Sequence, residues 1–258
     1  MDRKAKRVAT IAIGDIHGNY RALADLRDKL LPQIHADDTL VFLGDYIDRG
    51  PDSRNCVEEI IRLKQDTQLS VVTLLGNHEE WMLATMRDYA RHSWLLGADA
   101  FETVRSYSHS AARLLRKEVE RAGPRLITDE VELSYEAFFD AMPASHKRFF
   151  EELQLFHEAD DAIFVHAGID PNGGPPEEQD SRELTWGLCH DFPDGYQGSK
   201  KVVYGHRDNR FTDESGWPRP FVLNELTYGI DTISTGVLTA IRMPDGKVFQ
   251  SDRFRSTN

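Results

Sequence analysis

The chain has 258 residues, 40% hydrophobic and 29% charged, with a formal net charge of −12 and a pI near 5.3. That is the composition of a soluble globular protein, long enough to bury a core without disulfide or metal staples. The acidic balance lacks the basic surface that displaces counterions, so nucleic acid is excluded as the main partner; no apolar run approaches the ~20 residues that cross a bilayer.

The basic opening Met1–Arg7 reads as a solvated tail: the apolar run after it is too short for a secretory segment, and no cleavage site follows. Cys56 and Cys189 are isolated, without CxxC spacing, which implies reduced thiols and a cytoplasmic setting. Residues 8–13 predict a β-branched strand stopped by Gly14. Residues 20–31 carry Leu23, Leu26 and Leu30 at helical spacing until Pro32. Thr39–Leu43 predicts a second strand, stopped by Gly44. Pro51-Asp52-Ser53 opens a helix to about Lys64, with Val57, Ile60 and Ile61 inward, and residues 69–75 predict a third strand, stopped by Gly76. Alternating strands and helices predict a parallel sheet, whose ligands lie beyond the carboxyl ends of its strands.

From about 81 to 155 the pattern turns helical and densely charged, which predicts a helical cap inserted into a single domain spanning 1–258. Trp94-Leu95-Leu96 and Phe138-Phe139 read as the core of that cap. Strands resume at Ala162–Val165 and Lys201–Tyr204, and 171–180 is a loop without core-forming capacity. Residues 221–251 predict two or three antiparallel strands, with Met243-Pro244-Asp245-Gly246 as a hairpin turn.

Five predicted strands end in polar clusters: Gly14-Asp15-Ile16-His17-Gly18-Asn19, Gly44-Asp45-Tyr46-Ile47-Asp48-Arg49-Gly50, Gly76-Asn77-His78-Glu79, His166-Ala167-Gly168 and Gly205-His206. Any one of these alone is an ordinary loop or a satisfied surface histidine. Five in order, each after a strand, point to a divalent metal site. Carboxylate, imidazole and amide oxygen together suit manganese, iron or zinc. The glycines let several strand ends approach one point. A pair of metals about 3.5–4 Å apart needs a shared carboxylate and clamps a phosphate while activating water.

These motifs resemble those of the metal-dependent serine/threonine protein phosphatases of the phosphoprotein phosphatase class, particularly the short bacterial and phage members. The likeness runs from about residue 8 to 250 and includes Pro143, His146 and Phe149 before the fourth strand. It implies an α/β metallophosphatase fold, a β-sandwich flanked by helices, holding two divalent ions, with manganese first and iron or zinc as alternatives. It further implies that Asp15 and His17 bind the first metal, that Asp45 bridges, and that Asn77, His166 and His206 complete the ligand set of the second metal. His78 would donate the proton to the leaving alcohol, oriented by Asp48, and Arg49 would hold phosphate oxygens. Independently of the likeness, a carboxylate partner favours imidazolium and keeps a proton available near neutrality. Glu79 reads as a helix-start residue complementing the dipole. His35, His92, His109, His146, His157 and His190 lack the glycine-flanked setting, which assigns them surface or structural roles.

One position departs from the pattern. Short bacterial relatives carry Trp-x-Arg before the last histidine motif, whereas this chain has Trp186-Gly187-Leu188, and Arg207 follows His206 where threonine is common. Arg207 either supplies the missing phosphate contact or faces solvent or an acidic neighbour. The expected function is phosphomonoester hydrolysis on phosphoserine or phosphothreonine proteins or peptides, with phosphotyrosine as a further substrate. The rival enzyme is a symmetrical dinucleoside tetraphosphate hydrolase. The rival from another class is a silent binding module, against which the complete ligand set argues.

Overall fold

The computed structural model describes residues 8–66 and 68–254; the basic opening lies outside them. The chain starts as a β-α-β-α-β run: β1 (Thr10–Ile13), α1 (Tyr20–Leu30), β2 (Thr39–Phe42), α2 (Ser53–Gln65) and β3 (Ser70–Thr73). Seven helices follow: α3 (Asn77–Arg87), α4 (Ser93–Gly97), α5 (Phe101–Tyr107), α6 (His109–Ala122), α7 (Arg125–Thr128), α8 (Glu136–Phe139) and α9 (Ala144–Glu151). The remainder is β4 (Phe156–Glu158), β5 (Ala162–Val165), α10 (Ser181–Trp186), α11 (Phe192–Gly195), β6 (Lys201–Tyr204), β7 (Phe221–Leu223), β8 (Thr227–Gly229), β9 (Thr239–Met243) and β10 (Lys247–Gln250).

Two five-stranded mixed sheets result, ordered β10-β9-β1-β2-β3 and β4-β5-β6-β8-β7. Within them β1, β2 and β3 run parallel, as do β5, β6 and β8. Residues 221–251 form four short strands rather than two or three, and they divide between the sheets. β7 pairs antiparallel with β8 in the second sheet, while β9 and β10 form the expected hairpin in the first. β4, with no recognisable alternation in three residues, pairs antiparallel with β5.

Successive side chains of each strand point to opposite faces, and both sets are apolar because each sheet is covered on both sides. Ile11, Ile13, Leu40 and Phe42 point to the helices, whereas Ala12, Val41 and Leu43 meet Phe164, Val203 and Ile241 between the sheets. Ile163, Val165 and Val202 face outward onto Leu184, Phe192 and Tyr196. Each such side chain, fully buried, contributes roughly 1.5–3 kcal/mol. On α2 the inward face is Cys56, Val57, Ile60 and Leu63, so Ile61 sits half-buried at its margin. Helices α3–α9 have no separate core: Trp94, Phe138 and Phe149 belong to the same apolar cluster as Ile13 and Phe42. Among the described residues no helix is long and apolar enough to cross a membrane.

Candidate active site

The carboxyl ends of β1, β2, β3, β5, β6 and β8 converge on one edge of the sandwich, so segments distant in sequence meet there. Asp15, after β1, accepts from the His206 backbone N–H through both carboxylate oxygens at 2.9 and 3.0 Å, tying the first sheet to the second. His166, after β5, contacts the Leu43 carbonyl through Nδ1 at 2.9 Å, and His17 contacts that of Ile47 through Nδ1, also at 2.9 Å. A carbonyl partner makes Nδ1 the donor in each ring, which leaves the Nε2 lone pair facing inward.

Those lone pairs face Asp45. His17 Nε2 lies 3.4 Å from Asp45 Oδ2, and His166 Nε2 lies 3.4 Å from Asp45 Oδ1. Asn77 Oδ1 sits 3.1 Å from His166 Nε2 and 2.9 Å from His206 Nδ1. Asp45 therefore presents one oxygen to each side of the cluster, the placement a bridging ligand needs. His17 Nε2 is buried without a hydrogen-bond partner, a lone pair suited to a cation. Donor atoms of His17, Asp45 and His78, and of Asp45, His166 and His206, lie within 4.8 Å of one another in two groups that could hold metal. Asp15 Oδ2 is 3.9 Å from His17 Nε2, beside the first group.

The electrostatics fit a cation. Burial, then the charges of Asp231 and Asp45, push the Asp15 carboxyl well above its usual range. Burial carries Asp231 to about 7. Burial lowers His17 to about 3 and His206 to about 4, keeping both imidazoles neutral as ligands require. Buried carboxylates that resist ionisation are relieved by divalent charge.

His78 is the second residue of α3, and its Nδ1 lies 2.8 Å from Asp48 Oδ2. Its Nε2 lies 3.4 Å from Arg49 Nη2 and 3.8 Å from Asp45 Oδ2. Burial opposes its charged form, but Asp45 and the bond to Asp48 push it up to about 9. Arg49 is exposed, with its guanidinium beside the imidazole.

The loops reach these positions through strained backbone. His17, Asp45, Asp48, Arg49 and His206 all have positive φ, between 45° and 71°. Such left-handed residues cost of order 1–3 kcal/mol each and persist where surrounding contacts over-determine them. Two glycines are required by space: a Cβ at Gly76 would lie 2.2 Å from Asp45 Oδ1, and one at Gly205 would lie 2.0 Å from Asp15 Oδ1.

Four residues stand in relations that local pattern did not give them. Glu79 is fully buried and does more than complement the α3 dipole. Its carboxylate accepts from the backbone N–H groups of Asp45, Tyr46 and Ile47 at 2.9, 2.9 and 3.3 Å, holding the loop that carries the bridging candidate. Glu80 accepts from Thr185 Oγ1 and Trp186 Nε1 at 2.9 and 2.7 Å, locking α3 to α10. Asp231 follows Gly229-Ile230 at the end of β8, a glycine-and-acid strand end like Gly14-Asp15, and that signal could have found it. Arg207 lies beside His206, but its Nη2 donates to the carbonyls of Gly187 and Cys189 at 3.3 and 3.2 Å, bracing the loop of the exposed Leu188. The remaining histidines of note are structural: His146 is buried between Tyr107 and Glu58, and His92 between Tyr135 and Val131.

With this fold and this cluster, the chain belongs to the calcineurin-like phosphoesterases, whose family model matches residues 9–236. It is a hydrolase of the metallophosphoesterase type. A curated symmetrical bis(5'-nucleosyl)-tetraphosphatase of Nitrosomonas europaea is 26% identical over 224 residues, covering 85% of this chain and 67% of that protein. An asymmetrical bis(5'-nucleosyl)-tetraphosphatase of Halalkalibacterium halodurans is 26% identical over 257 residues, covering 90% and 89%. A serine/threonine phosphatase structure from Saccharomyces cerevisiae superposes with a TM-score of 0.55 at 13% identity, over 98% of this chain and 82% of that one, a likeness of fold alone. The metallophosphoesterase family is thus as the motifs imply, whereas the short bacterial and phage protein-phosphatase branch is not shown: both of these sequence relatives bear tetraphosphatase names.

Proposed function

We propose that the protein is a two-metal phosphomonoesterase acting on phosphoserine and phosphothreonine in proteins or peptides. The observation that carries this reading is the buried His78–Asp48 pair, 2.8 Å apart beside the cluster. A serine or threonine alkoxide leaves poorly unless it is protonated as the P–O bond breaks, so its hydrolysis gains from a positioned acid. A nucleotide leaving from a phosphoanhydride is already stable as an anion and gains little.

Asp15, His17 and Asp45 would hold one divalent ion, and Asp45, Asn77, His166 and His206 the other; manganese, iron and zinc all suit this donor set. Bound metal would supply Lewis-acid polarisation of the phosphate and a water of lowered pKa. Arg49 neutralises the non-bridging oxygens of the transferring phosphoryl group. His78, held by Asp48 through Nδ1, gives the proton on Nε2 to the departing alcohol.

A second reading, symmetrical hydrolysis of dinucleoside tetraphosphates, is favoured by the Nitrosomonas relative matched over 85% of this chain. Side-by-side turnover of a phosphoserine peptide and diadenosine tetraphosphate with manganese separates the two. The first reading expects kcat/KM at least about tenfold higher on the peptide, a transition-state difference of ~1.4 kcal/mol. The opposite order overturns it in favour of the second.

A further inference from the structure

The helical insertion reaches into the active site at one residue, Asp48. Trp94, in α4, donates its indole N–H to both carboxylate oxygens, at 3.2 Å to Oδ1 and 2.9 Å to Oδ2. Thr103, in α5, donates its hydroxyl to Oδ1 at 2.7 Å, and Thr103 Oγ1 itself accepts from the Asp48 backbone N–H at 2.7 Å. Ser53 Oγ lies 2.9 Å from that hydroxyl and accepts from the Asp48 N–H at 3.2 Å. The single Thr103 proton goes to Asp48, so Ser53 is the donor between the two hydroxyls. Asp48, Ser53, Trp94 and Thr103 are all fully buried.

We infer that Trp94 and Thr103 are positioning residues for the proton donor, fixing the Asp48 carboxylate so that Oδ2 meets His78 Nδ1 and Nε2 faces the reacting phosphoester. The inference rests on the role of His78 proposed above. A carboxylate bonded only to one imidazole can turn about its Cβ–Cγ bond and carry the ring with it. Here Oδ1 is held by two donors and Oδ2 by the indole as well as His78, so the carboxylate plane is fixed. The backbone beneath is fixed too: Asp48 has φ 71°, and its N–H is bound by the Thr103 and Ser53 hydroxyls. The indole is in turn set by the aromatic core of the insertion, with Phe138 at 5.4 Å and Phe139 at 6.5 Å between ring centroids. A donor aimed at a buried carboxylate from that core orients it in water's absence. The insertion thereby completes the acid.

The test uses full-length Thr103→Val, Thr103→Ser and Trp94→Phe. Loaded with manganese, Thr103→Val and Trp94→Phe should lose about 10–100-fold in kcat on a phosphoserine peptide, the usual effect of losing an outer hydrogen-bond partner. They should keep their turnover of 2,4-dinitrophenyl phosphate, whose leaving group needs no proton, with metal content and KM unchanged. Thr103→Ser, which retains the hydroxyl, should restore most of the peptide activity. Separately, in zinc-loaded protein, the low-field proton resonance of the His78 Nδ1–H···Asp48 bond, identified by its loss in His78→Asn, should broaden or shift in Thr103→Val and persist in Thr103→Ser. If Trp94→Phe does not fold, Thr103→Val decides alone. Equal losses on both esters, or an unmoved resonance, overturn the inference. A wild type that turns over neither ester defeats the proposed function instead, and the resonance still decides whether Trp94 and Thr103 hold the pair.

Discussion

His78 touches Asp48, Arg49 and the edge of the metal cluster, so its removal separates acid catalysis from metal binding. His78→Asn should lower turnover of an alkyl phosphoester by roughly 10²–10⁴-fold while both metals remain bound. On nitrophenyl phosphate the defect should shrink. Elemental analysis of the variant checks the premise, since metal lost together with activity would make His78 a ligand. Arg207 invites a different test. Its guanidinium donates to two loop carbonyls, at Gly187 and Cys189. Arg207→Ala should therefore lower the melting temperature, by the equivalent of about 1.5–3 kcal/mol for bonds from a charged donor. Inhibition by free phosphate should change little. Phosphate inhibition weakened tenfold or more would instead place this guanidinium on the substrate.

The strand-end loops are the elements that carry the site, and the one after β2 is the most strained, with positive φ at Asp45, Asp48 and Arg49. It is clamped from both sides. Glu79, in α3, binds the N–H groups of residues 45–47, and Thr103 with Ser53 binds that of Asp48. Glu79→Ala leaves three N–H groups without this partner in a dry site, where one unsatisfied group costs about 1–3 kcal/mol. Thermal or urea denaturation should show a loss at least that large. Metal affinity measured by titration should fall about 10–100-fold, because the bridging candidate Asp45 loses its anchor. An unchanged metal affinity would show that the loop keeps its shape without Glu79.

At the scale of the whole molecule, the cluster joins two sheets. Asp15, His17 and Asp45 come from loops of the first sheet, Asn77 from the start of α3 after its strand β3, and His166 and His206 from loops of the second. Metal bound there ties both sheets to one point and offsets the buried charge of Asp15 and Asp231. Chelation should abolish turnover and lower the melting temperature, and manganese should restore both. At a concentration 100 times its dissociation constant, one bound ion stabilises by about 2.7 kcal/mol. A melting temperature indifferent to chelator and to manganese would argue against a metal site at this cluster.

Much of this architecture is legible in local sequence. Strands β1, β2, β3, β5 and β6 follow from short β-branched runs, and the turns after them from Gly-Asp, Gly-Asn and Gly-His pairs, because a strand and its following turn are determined within about six residues. That is why Asp15, His17, Asp45, Asn77, His78, His166 and His206 could be named without a fold. Strand β4 and the division of residues 221–251 between two sheets could not, since strands of three residues take their partners from the packing around them. The same holds for side chains that act at a distance. Trp94 and Thr103 meet Asp48 across 46 and 55 residues, and Thr185 and Trp186 meet Glu80 across 105 and 106. By itself the sequence determined the kind of chemistry and the atoms able to hold metal, because those depend on residue type and on local turns. Only the tertiary structure decided that Glu79 clamps the bridging loop, that Arg207 braces another, and that the helical insertion grips Asp48. Each of these is a hydrogen bond between residues far apart in sequence, and its partner is chosen by how distant helices and strands pack.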